Sequence, residues 1–154
     1  MYFNSELTIR GEFAKKMSMI KDQYSFTYID IFLYSILLGV DSNTYYEKNS
    51  ENEQISDDAA SIPRNVLINY QDQLNNILAI AVLKKNENNM SEDILKIAFE
   101  DKDEDYKTFE KFKCGLNYAL SGINILYTML KPNDGVVKDE ITILNGILDK
   151  YKGV

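Results

Sequence analysis

The residues with the most evident chemical potential are carboxylates. Asp101-Lys-Asp103-Glu-Asp105 alternates acids as the opening of a calcium-binding EF-hand loop does. That loop needs glycine at its sixth position for a sharp turn and a bidentate glutamate at its twelfth, and counting from Asp101 these are Tyr106 and Phe112. The run therefore reads as a solvated acidic start for the helix that follows, where the helix dipole favours negative charge. Other chemistry is thinly supplied. With no histidine there is no imidazole base, nucleophile partner or metal ligand. The single cysteine, Cys114, excludes an intramolecular disulfide and a multi-cysteine zinc site. With only Lys111 and Lys113 near it in sequence to lower its pKa, it reads as a small buried hydrophobe. None of the seven glycines forms G-x-G-x-x-G or G-x-x-x-x-G-K-[ST]. The 24 acids offer many accidental carboxylate pairs, and no motif selects one. The expectation is a non-enzyme with no metal and no cofactor.

The 154 residues carry 24 Asp and Glu against 17 Lys and Arg, a net charge of −7. Direct nucleic-acid binding is not expected, because it needs clustered positive charge and, for single strands, aromatic residues interleaved with it. Lys102, Lys107 and Lys111 can instead pair with Glu104 and Glu110 at helical spacing, a solvated, self-paired face. The acidic excess gathers in residues 47–58 and 100–105. The candidate partner-binding residues are thus Glu47, Glu51, Glu53, Asp57, Asp58, Asp101, Asp103 and Asp105, and a basic protein surface is the partner they would steer. The N-terminus lacks a basic region followed by an apolar stretch, and the longest apolar segment, Ile31 to Val40, is about half of the ~20 residues that span a bilayer. A cytoplasmic protein with no membrane association is expected.

Apolar spacing predicts an all-α fold, a single compact bundle of about six helices over residues 1–154 with a long polar loop after the second. Phe13, Met17 and Ile20 after Gly11 mark a helix over 11–21, with Leu7 and Ile9 as an extended lead-in. Thr27 with Asp30 forms a capping-box pattern for a helix whose apolar face is Ile29, Phe32, Leu33, Ile36, Leu37 and Val40, and Gly39 suits a left-handed stop. Residues 41–61 break the pattern and read as a long polar loop, functional or disordered, in which Tyr45 and Tyr46 are the only residues that could anchor it to the domain or to a partner. A long helix over 63–85 ends at Asn86 to Asn89, and Ser91 caps a short one with Ile94, Leu95, Ala98 and Phe99 inward. The longest stripe, from Tyr106 through Phe109 and Phe112 to Leu130, spans 104–131 and pairs antiparallel with 63–85. A last helix over 138–151 buries Ile141, Leu144, Ile147, Leu148 and Tyr151.

Gly115, Ala119 and Gly122 share one helix face, where each glycine costs about 1 kcal/mol relative to alanine. Close approach of a neighbouring helix is the benefit that offsets this, with a shallow partner-binding groove as the alternative. Ile125, Met129 and Ile143 lie off the main stripes, as second-side core contacts or a homodimer surface.

Asn117-Tyr-Ala-Leu-Ser-Gly122-Ile-Asn-Ile-Leu126 resembles the closing motif of a small protein family found beside bacterial DNA phosphorothioation (Dnd) modification and restriction genes. That motif reads Tyr-Ala-x-x-Gly followed by aliphatics at helical spacing. Tyr28-Ile-Asp30-Ile-Phe32, running into Leu38-Gly39, is similar to the family's early Asp-containing apolar helix ending in glycine. The resemblance falls within residues 26–130 and implies an accessory role in a phage-defence gene cluster, with no catalytic residues. The functional expectation is a non-enzymatic adaptor acting through protein contacts. The alternative is an acidic inhibitor, an immunity protein or a phage-encoded DNA mimic that blocks a basic partner.

Overall fold

The structure is a computed structural model that describes residues 3–47, 56–100 and 105–132, with Asp105 and Tyr106 described by their backbone alone. The described residues form six helices and one two-stranded sheet, so the fold is mainly rather than wholly helical. Leu7–Arg10 (β1) pairs antiparallel with Ala59–Ile62 (β2), from Leu7 opposite Ile62 to Arg10 opposite Ala59. Ile9, Ala60 and Ile62 point into the core, while the hydroxyls of Thr8 and Ser61 meet 2.9 Å apart on the other face. Alternation over four residues is too brief to stand out among helical patterns, and these partners lie 53 positions apart. The sheet corrects both the all-α expectation and the far end of the expected 41–61 loop.

Local chemistry sets most helix boundaries. Gly11, at φ 74°, turns the chain from β1 into α1 (Glu12–Gln23), a conformation that favours glycine. At α2 (Tyr28–Asp41) the backbone N–H of Thr27 donates to the Asp30 carboxylate at 2.9 Å, and the Asp30 N–H donates to Thr27 Oγ1 at 3.3 Å, completing the capping box. Ser91 caps α5 (Glu92–Phe99) by accepting from the Ile94 N–H. The expected 63–85 helix is two, α3 (Arg64–Asn69) and α4 (Gln71–Lys85), broken at Tyr70 among the weak helix formers Asn69, Tyr70 and Asp72. The longest helix is α6 (Asp105–Leu130), after which Lys131 takes a positive φ of 43°. The Tyr24 hydroxyl donates to the Leu130 carbonyl at 2.6 Å and satisfies an end that no helix N–H can reach. The expected 138–151 helix, with Ile143, lies outside the described residues.

α6 is the centre of the packing and α2 is its most extensive neighbour. The two cross backbone to backbone: a Cβ on Gly39 would overlap the Tyr118 carbonyl, and one on Gly122 would overlap the Ser35 carbonyl and lie 2.8 Å from its Cα. Close helix approach is thus the reason for Gly122, and Gly39 is an interior helix position rather than a stop. The left-handed residue after α2 is Asn43, at φ 51°. Contacts between α4 and α6 advance in the same sense along both helices, Asn75 meeting Lys111 and Leu78 facing Gly115, in place of the antiparallel pairing expected. The chain can return this way because α5 runs between them. Ile125 and Met129 are half-buried against the core, as second-side contacts.

Candidate functional site

Among the described residues, several titratable side chains gather around Tyr45. After α2, the Thr44 N–H donates to the Gly39 carbonyl at 3.0 Å and turns residues 44–47 back over α6. There the Tyr46 N–H donates to the Asn117 carbonyl at 3.1 Å, and the Tyr46 ring meets Phe13 edge-on. The Tyr45 hydroxyl accepts from Lys85 Nζ at 2.7 Å and from Asn117 Nδ2 at 2.9 Å. The same ammonium stands 4.1 Å from the Tyr45 ring centroid, and the ring packs edge-on against Tyr118 at 5.0 Å. Tyr45 and Tyr46 are therefore anchors to the domain, as their composition-poor surroundings in sequence suggested.

The electrostatics of this cluster oppose nucleophilic chemistry. Burial pushes the Cys114 thiol up from 9.0 to about 11, with the Lys85 charge working the other way and Glu110 adding to the rise. Burial likewise raises the Tyr118 phenol from 10.0 to about 12, helped by Cys114, Tyr45 and Glu87. For Lys85, burial works to lower the pKa, but the hydrogen bond to Tyr45 together with the nearby Tyr45, Cys114 and Glu47 outweighs it, so the net shift is upward and the ammonium stays charged. Cys114 is a buried thiol held protonated, as expected of a small hydrophobe. The cluster binds a strap to a helix.

The acidic candidates fall in separate places. Glu47 is exposed just beyond the strap, and Asp57 and Asp58 are exposed at the entry to β2. The Asp58 carboxylate accepts from Ser56 Oγ, and its carbonyl accepts from the Gly11 N–H at 2.9 Å, so both ends of this stretch come to the start of α1. Glu51, Glu53, Asp101 and Asp103 lie outside the described residues, and Asp105 is described only as the first residue of α6. Among the described residues no group of three or more Cys, Asp and Glu side chains is placed to hold a metal ion, and no helix is long and apolar enough to cross a membrane.

Spacing alone misplaced several side chains around α5. Leu95 and Phe99, expected inward, are 44% and 61% exposed, and Phe109 on α6 is 62% exposed. Lys111, expected on the solvated face, is 3% exposed, and its ammonium donates to the Ala98 carbonyl at 2.7 Å and to Asn75 Oδ1. Lys107 donates to Glu100 at 3.0 Å, so the end of α5 is tied to α6 by two lysines. α6 thus turns Lys107 and Lys111 toward the open carbonyl end of α5, and Phe109, two residues from each, faces the other way. No protein-family model, curated protein or solved structure matches this chain.

Proposed function

We propose that this chain is a non-enzymatic adaptor that acts through protein–protein contacts, in the accessory role within a DNA-modification or phage-defence system that its family resemblance implies. With this reading go a single compact helical bundle and a cytoplasmic location. The observation that carries the contact role is α5, which turns Leu95 and Phe99 to solvent between exposed carboxylates. The cluster at Tyr45 supports the non-enzymatic part, since its thiol and phenol are held in their neutral forms and its ammonium is engaged by Tyr45. Affinity capture of the tagged chain from its own cells tests the proposal. Recovery of a DNA-modification or defence protein is expected, and recovery of none under several conditions overturns it.

A second reading, an acidic inhibitor of a basic partner, draws on the exposed Glu47, Asp57 and Asp58 at the start of α1. It predicts that replacing them and the acids of 100–105 by Asn or Gln weakens partner binding and flattens its salt dependence. Unchanged binding with unchanged salt dependence rejects it.

A further inference from the structure

We draw no further inference here: the strongest candidate, the exposed apolar surface of Leu95 and Phe99 on α5, carries none because nothing in the structure shows what covers it.

Discussion

Alanine at two glycines of α6 should have unequal consequences, although both lie on the same helix and gain the same propensity. Replacing an interior helical glycine by alanine gains about 1 kcal/mol from the backbone alone. At Gly115 the new methyl meets the tip of the Leu78 side chain, whose Cγ stays 3.4 Å away. Rotating that tip aside costs about 0.5–1.5 kcal/mol, so Gly115→Ala should fall within about 0.5 kcal/mol of the wild type. At Gly122 the obstacle is the Ser35 backbone, with its carbonyl carbon 2.5 Å and its Cα 2.8 Å from the new carbon. No rotamer relieves that overlap, and α2 must move off α6. Overpacking costs about 1–3 kcal/mol, and a gap of about 0.5–1 Å along the most extensive helix contact forfeits a quarter to a half of its dispersion energy. The net loss for Gly122→Ala, after the propensity gain, should be about 2 kcal/mol or more, a fall in Tm of about 4–8 °C for a chain of this size. Urea unfolding followed by far-UV circular dichroism measures both variants. If Gly122→Ala is as stable as Gly115→Ala, the backbone contact between α2 and α6 is wrong. Gly39→Ala should behave like Gly122→Ala, and the double variant should cost less than the sum, because either alone separates the helices.

Lys111→Met withdraws the donor from the Ala98 carbonyl and from Asn75, and should destabilise by about 1–3 kcal/mol, while the exposed Lys113→Met should not; equal effects in denaturant titrations refute the internal role of Lys111. Cys114 should react slowly with a thiol reagent at neutral pH; labelling of the native protein at the rate of the urea-unfolded chain contradicts this. Stability should be flat from neutral pH to about 9 and then fall. Cys114 and Tyr118 lose their protons in the unfolded chain at 9.0 and 10.0 but hold them to about 11 and about 12 when folded, so rising pH favours the unfolded state across that window. Cys114→Ala should delay the onset of the fall, and an unchanged profile argues against the buried thiol.

The parts of this fold that are legible in the sequence are those written in local chemistry. Thr27 with Asp30 and Ser91 cap helices because their side chains reach amides three residues on. Tyr45 and Tyr46 stand out as the only aromatic residues in a polar stretch, and both are anchors. What stays hidden depends on partners distant in the chain. β1 and β2 are each too short to be recognised without the other. The apolar residues of α5 cover more than half of its circumference, so spacing alone does not tell which of them turn inward, and Leu95 and Phe99 are exposed. Lys111 goes inside because a carbonyl at the end of α5 requires a donor there, a demand visible only once α5 is placed on α6.

The two borders of the stretch between Glu47 and Ser56 are fastened independently, one by Tyr45 and Tyr46 to α6 and α1, the other through Asp58 to Gly11 and then through β2 to β1. Neither fastening relies on the other, and lengthening a loop twofold adds only about 0.6 kcal/mol of closure entropy. This makes the interval a natural splice point. A reporter domain grafted there, or new termini opened there by circular permutation, would leave the α2–α6 crossing intact and would provide a handle for following the chain.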